Sequence, residues 1–299
     1  MKNWIKAFRL RTLPLALASI FMGSFIAFAE GKFDIKVFFW CTLTTILLQI
    51  LSNLANDYGD HVNGADHAGR KGPVRTVQSG AITALAMRNA VIICSILSFL
   101  SGIILLKTAF QSNWLMISAW LLIGLFCIAA AILYTVGRKP YGYMGLGDIS
   151  VTLFFGIVGV MGACFMYTHQ FNAINILPSL SCGFLATGVL NINNIRDIES
   201  DRMAGKFSIP VRIGKKAAAV YQKLLLISAL GFAVAFMISR SSFDFFNLLF
   251  LIVAPLFWTI GRAVSTLPSE ALDPWLKKMA LTSVLFVILF GLGLNWPLF

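Results

Sequence analysis

Val37-Phe38-Phe39-Trp40-Cys41-Thr42-Leu43-Thr44-Thr45-Ile46-Leu47-Leu48-Gln49-Ile50-Leu51-Ser52-Asn53-Leu54-Ala55-Asn56 runs for twenty residues without a charge, and Asp57-Tyr58-Gly59-Asp60 follows it directly. A bilayer-spanning helix needs about 20 largely apolar residues. The run therefore reads as a membrane span that delivers two aspartates to its polar end. Similar uncharged windows fall at 12–29, 89–106, 114–134, 149–166, 175–195, 224–239, 245–261 and 279–299. Nine spans are expected. Strands are excluded, because lipid requires each segment to satisfy its own backbone groups. The fold class is all-α: a polytopic membrane protein forming one domain over residues 1–299, with no separate soluble domain.

Composition agrees. Of 299 residues, 58% are hydrophobic and 12% charged, whereas soluble domains run near ~45–50% apolar and ~25% charged. A net charge of +12 can signal nucleic acid, but beside nine apolar runs it signals membrane orientation, and no nucleic-acid partner is expected. Twenty of the 24 Lys and Arg residues fall in alternate connections: the N-terminus, 57–88, 135–148, 196–223 and 262–278. The other set of connections holds only Lys32, Lys36, Lys107 and Arg240. By the positive-inside rule the N-terminus is cytoplasmic and the C-terminus outside. The first 30 residues read as a span rather than a cleaved leader, since no small-residue cleavage site follows the basic start. The five cysteines all lie in apolar runs and form no metal-binding spacing.

Seven of the twelve acidic residues sit in three of the cytoplasmic connections. The second span ends in Asn53, Asn56, Asp57, Asp60 and, past Gly64, Asp66. The sixth ends in Asn191, Asn193, Asn194, Arg196, Asp197, Glu199 and Asp201. Each run is followed by Pro-Val-Arg, at 73–75 and 210–212. If the helices continue into the loops, Asp57 and Asp60 share one face, as do Asp197 and Asp201. Facing carboxylate pairs repel unless cations lie between them. Mg²⁺ suits such oxygen ligands, using one or two carboxylates, waters and substrate phosphate oxygens. Arg75, Arg138, Lys139, Arg202 and Lys206 are placed to take the remaining phosphate charge. One aspartate at a helix end is ordinarily a cap or a solvated residue; two matched clusters on one membrane face point to a diphosphate site. A third connection, from Tyr134 through Arg138 and Lys139 to Asp148, is rich in glycine and tyrosine. It reads either as a substrate wall or as an interfacial aromatic belt. His61, His67 and His169 read as loop residues rather than ligands.

Asn56-Asp57-Tyr58-Gly59-Asp60 together with Asp197-Ile198-Glu199-Ser200-Asp201 resembles the paired Asp-rich motifs of the UbiA superfamily of intramembrane prenyltransferases. Gly64-Ala65-Asp66, Gly72-Pro73-Val74-Arg75 and Asn193-Asn194-Ile195-Arg196-Asp197 are similar to its menaquinone-pathway branch. Asp148 departs from that branch, which usually carries glutamate there. The resemblance implies nine helices around a central lipid-accessible cavity in a bacterial inner membrane, with the active site facing the cytoplasm. It implies transfer of a polyprenyl group from polyprenyl diphosphate to 1,4-dihydroxy-2-naphthoate, with Mg²⁺ as cofactor, giving demethylmenaquinone, diphosphate and CO₂. Asp57, Asp60, Asp197 and Asp201 would then be catalytic metal ligands. Asn53, Asn56, Asp66, Arg75, Tyr134, Arg138, Lys139, Asp148, Asn193, Arg202 and Lys206 would contact the substrates. The alternatives are another acceptor of the same superfamily, such as 4-hydroxybenzoate; a secondary transporter, which would place its polar residues nearer mid-membrane; and a CDP-alcohol phosphotransferase, whose signature is not found.

Overall fold

Capping chemistry fixes where several of the spans begin. In a computed structural model describing residues 1–65, 74–240 and 243–296, Asp34 accepts the backbone N–H groups of Lys36 (2.7 Å) and Val37 (3.1 Å) to start the second span. Thr83 and Asn113 cap the third and fourth in the same way. Asp244 and Asn247 cap each other's backbone at the start of the eighth. Each such side chain satisfies an amide that the helix leaves unbonded. Asp66, Pro73, the pair 241–242 and residues 297–299 lie outside the described residues.

Among the described residues nine helices are long and apolar enough to cross a bilayer: Lys2–Ala29, Ile35–Val62, Ala84–Phe110, Trp114–Leu133, Gly147–Thr168, Ala173–Arg196, Ile209–Ile238, Phe245–Thr266 and Ser269–Leu294. They are called spans one to nine. No strand occurs among the described residues. Leu115, Leu122, Trp258 and Phe245 are all at least 67% exposed. Such side chains have no favourable place in water, and they face the lipid.

The expected windows and the helices agree in number and differ at the ends. Span seven starts at Ile209 rather than 224, because its first turn, Ile209–Ile213, joins the main helix through Gly214 at φ 78° and ψ 162°. That dihedral pair is one that glycine adopts without steric cost. Span nine starts earlier than 279, with Pro274 in its first helical turn, where proline's missing N–H is not needed. Its helix ends at Leu294.

Spans one and five to nine share the largest core, built on Met22, Leu185, Phe236, Phe250, Phe286 and Phe290. Spans one to five enclose a second one around Cys41, Phe110, Ile117 and Met166. Close approach of spans five and six depends on glycine: a Cβ at Gly156 would lie 2.5 Å from Ser179 O. Spans four and five meet through side chains such as Phe126 and Phe154, with ring centroids 5.8 Å apart. Among spans one to five lies an apolar cavity of about 380 Å³, which Leu190 of span six also lines.

Candidate active site

The first acidic motif lies on the unbroken helix Ile35–Val62. Asp57 and Asp60 are three residues apart and share a face, as the spacing requires. Both are buried, at 2% and 4% exposure. Arg9 pairs with Asp57, and Arg75 with Asp60. Arg75 also reaches Asp57 at 4.0 Å and donates to Asn56 O at 3.1 Å. Thr76 Oγ1 donates to Asp57 Oδ2 (3.0 Å), and Tyr143 OH donates to Asp60 Oδ1 (2.6 Å). The helix can lie this close to the third connection because Gly59 has no side chain: a Cβ there would meet the Thr135 backbone at 2.6 Å. Gly64, at φ 73°, follows the helix end.

The second motif is built differently. Span six ends at Arg196, Asp197 is the junction, and a short helix runs Ile198–Met203. The expected continuous helix is thus broken between Arg196 and Asp201. The break lets Arg196 fold back onto Asp197 in a bidentate pair, at 2.9 and 2.7 Å. Its Nη1 donates to Asp273 Oδ1 (2.6 Å), and Nη2 donates also to Asn193 Oδ1 (2.9 Å). Lys206 Nζ lies 3.3 Å from Asp201. Burial pushes the Asp201 carboxyl above the usual carboxylate range, and Lys206 opposes that shift. Burial also raises the Tyr134 and Tyr143 phenols, so both remain neutral donors.

A polar cavity of about 430 Å³ lies beside the first motif and the end of span six, and neither Asp197 nor Asp201 is among its lining residues. Of the residues expected from sequence, Asn56, Asp57, Asp60, Arg75, Tyr134, Asn193 and Lys206 line it. Asn56, Tyr134 and Leu190 also line the 380 Å³ apolar cavity, so the two spaces meet at these three side chains. Asn53 lines only the apolar one, with its amide donating to Phe8 O (2.9 Å) and Thr12 Oγ1 (3.0 Å). It clamps the start of span one. Asp148 is buried and accepts from Tyr221 OH at 3.0 Å, and its charge acts on Tyr134. Arg138 and Lys139 are exposed and line neither cavity. Arg202 is also exposed, outside both, with Glu199 at 3.8 Å. Its place on the short helix turns it away from the cavity that Lys206 faces.

Sequence reading missed Arg9, Thr76, Tyr143, Asn194, Arg196 and Tyr221 as site residues. Arg9 carried one local signal, its place in the basic segment before span one. It takes the left-handed conformation, φ 48°, at the break between helix Lys2–Phe8 and the rest of the span. A non-glycine residue there stores strain of order 1–3 kcal/mol, and its side chain is the one held by Asp57.

Among the described residues no three acidic, His or Cys side chains converge into a ready-made metal cage. The cations expected between the carboxylates are here Arg9, Arg75, Arg196 and Lys206. The donor set nevertheless fits Mg²⁺. Asp201 Oδ2 and Asn194 Oδ1 are buried oxygens without a hydrogen-bond partner. Mg²⁺ needs only one or two carboxylates when waters and a substrate diphosphate complete the octahedron.

The sequence matches the UbiA prenyltransferase family over residues 16–284. It is 47% identical to the 1,4-dihydroxy-2-naphthoate octaprenyltransferase of Haemophilus influenzae, covering 98% of this chain and 96% of that one. Identity to the enzyme of the same name from Escherichia coli K12 is 44%, over 97% and 94% of the two chains. The fold is similar to that of a UbiA homologue from Archaeoglobus fulgidus bound to GPP and Mg²⁺, with a TM-score of 0.64, 13% identity, and 98% and 99% of the chains covered. The chain belongs to the UbiA prenyltransferase family.

Proposed function

We propose that this family member transfers a polyprenyl group from polyprenyl diphosphate to 1,4-dihydroxy-2-naphthoate, releasing diphosphate and CO₂. The observation that carries the reading is the meeting of a cation-rich, carboxylate-flanked cavity with an apolar one across Asn56, Tyr134 and Leu190. Such a junction suits an amphiphile with a doubly phosphorylated head and a hydrocarbon tail. The near-complete coverage of naphthoate octaprenyltransferases supports the acceptor.

In this reading the head group lies among Arg9, Arg75 and Lys206, and the tail lies along spans one to five. Asp57, Asp60, Asp197 and Asp201 would hold Mg²⁺, which supplies neutralisation of the leaving diphosphate. Arg75 orients the phosphate oxygens by charge-assisted hydrogen bonds that strengthen as the C–O bond breaks. The allylic cation left behind is shielded from water by the apolar wall. Tyr134, at the boundary, is placed to position the naphthoate. The ring carbon bearing the carboxylate forms the new C–C bond with an electron pair of the electron-rich ring. The C–COO⁻ bond then breaks, its pair restores aromaticity, and CO₂ departs. The product is demethylmenaquinone in its diol form, and no covalent enzyme nucleophile is needed. The excess of Lys and Arg in alternate connections orients the single domain with its N-terminus and active site toward the cytoplasm of the bacterial inner membrane and its C-terminus outside.

The test is purified protein in lipid with a polyprenyl diphosphate, Mg²⁺ and either 1,4-dihydroxy-2-naphthoate or 4-hydroxybenzoate. Turnover with the naphthoate that stops in EDTA and returns with Mg²⁺ is expected. Preference for the benzoate would overturn the acceptor. Activity indifferent to EDTA would overturn the role of the acids.

A further inference from the structure

Asp273 stands outside both acidic motifs, at the start of the α-helix Asp273–Leu294 within the ninth span, yet it reaches the site. Its Oδ1 accepts from Arg196 Nη1 at 2.6 Å, and its Oδ2 lies 3.7 Å from Arg11. The same Arg196 holds both oxygens of Asp197 through Nε and Nη2. Arg196 is a buried cation with 2% of its side chain exposed, while Asp273 retains 39% exposure. One guanidinium is thus shared between a motif carboxylate and a carboxylate that no motif contains.

We propose that Asp273 is a positioning residue that sets how readily Asp197 is released to a divalent cation. The inference rests on the reading that the second motif binds Mg²⁺. A buried guanidinium stripped of its carboxylate is strongly destabilised. Moving Asp197 from Arg196 to a metal would strip Arg196 in that way if Asp197 were its one acidic partner. Asp273 occupies a different nitrogen of the same planar fork, so it can remain bound while Asp197 turns away. It also joins the sixth span to the ninth, and through Arg11 to the first. The exchange therefore requires no movement of the helices.

The sign follows. Without the Asp273 charge, Arg196 holds Asp197 more tightly, and cation binding weakens. A purely structural Asp273 would alter melting temperature and leave cation affinity alone.

The experiment measures Mn²⁺ binding to the purified, detergent-solubilised protein by electron paramagnetic resonance, with inorganic diphosphate present and no prenyl substrate. Thermal melts of the same samples check folding. Asp273→Asn should weaken Mn²⁺ binding by about tenfold or more, equivalent to roughly 1.4 kcal/mol. Asp273→Glu should restore most of the affinity. In an Arg196→Gln background, Asp273→Asn should have little further effect, because the shared cation is gone. Wild-type affinity in folded Asp273→Asn would overturn the proposal, as would an undiminished effect in the Arg196→Gln background. If Asp273→Asn does not fold, Asp273→Ser takes its place. Failure of both to fold while Arg196→Gln folds would make Asp273 structural and end the proposal. Absence of Mn²⁺ binding by the wild type would instead overturn the metal reading itself, a separate result.

Discussion

The two acidic motifs repeat one polar order in sequence but solve the problem of buried charge in opposite ways. Asp57 and Asp60 stand on a continuous helix, and their partners come from elsewhere: Arg9 from the start of span one, Arg75 and Thr76 from the following connection, Tyr143 from the third. Asp197 sits at a helix break with Asp201 one turn beyond it, and their cations, Arg196 and Lys206, are one and five residues away. The first motif is therefore a product of tertiary packing and the second is largely local. The first also uses each carboxylate fully, whereas Asp201 keeps one buried oxygen without a hydrogen bond. A metal arriving between them would meet less competition at Asp201 than at Asp57.

The largest effect expected from this contrast separates activity from stability. Asp57→Asn and Asp201→Asn should each lower turnover by about 10²–10³, the usual scale for losing one preorganised electrostatic group. Their melting temperatures should diverge. Asp57→Asn leaves Arg9 without its carboxylate and should melt well below the wild type, because breaking a buried pair costs about 3–5 kcal/mol. Asp201→Asn breaks a longer pair, with Lys206 at 3.3 Å, and replaces a carboxyl that burial already drives toward its neutral form, so it should melt nearer the wild type. Equal melting temperatures for the two variants would erase the distinction between a packed motif and an open one.

How much of this was legible follows from the same contrast. The spans are visible as uncharged windows because lipid allows little else, and both acid pairs are visible because a charge beside such a window is conspicuous. Arg196 adjoins Asp197 and was in plain view, but nothing in its neighbourhood says it folds back. Partners of the first motif lie far along the chain: Arg9 is 48 residues from Asp57, and Tyr143 is 83 from Asp60. No periodicity encodes such pairings. Arg138, Lys139 and Arg202 lie near the motifs in sequence, yet Arg138 and Lys139 sit in an exposed bend, and Arg202 is one position past buried Asp201 on a short helix, which turns it to solvent. Asp66 falls outside the described residues.

Smaller effects should come from the residues at the join of the two cavities. Arg75→Ala should weaken use of prenyl diphosphate by roughly 10- to 150-fold for every acceptor, matching about 1.5–3 kcal/mol for a lost charged hydrogen bond. Tyr134→Ala should instead shift preference between hydroxynaphthoate and hydroxybenzoate. A two-substrate kinetic matrix distinguishes them; acceptor-only effects of Arg75→Ala would reverse the assignment. Gly59→Ala tests the packing beneath the first motif. Its Cβ would sit 2.6 Å from the Thr135 backbone, so overpacking should cost about 1–3 kcal/mol in stability. Gly205→Ala, with no atom within 4 Å of the new Cβ, meets only a backbone penalty at φ 69° and should perturb the site less. The comparison is read from melting temperature and turnover together.

The smallest expected effect is a pH dependence confined to the second motif. Burial raises the Asp201 carboxyl, and Lys206 holds the rise in check. A raised carboxyl is one whose protonated form is favoured, and a divalent cation binds only the ionised form, so metal and proton compete. Below the Asp201 pKa, apparent Mg²⁺ affinity should therefore fall by up to about tenfold per pH unit, the limit for one displaced proton. Above it, affinity should level off. Lys206→Met removes the opposing charge, so the inflection should move to higher pH. In Asp201→Asn the affinity is weaker throughout, and this inflection should be gone. Titrating Mg²⁺ affinity against pH in the three proteins separates the contributions. An inflection unmoved by Lys206→Met, or one that persists in Asp201→Asn, would assign the proton to another group and remove the asymmetry between the motifs on which this expectation rests.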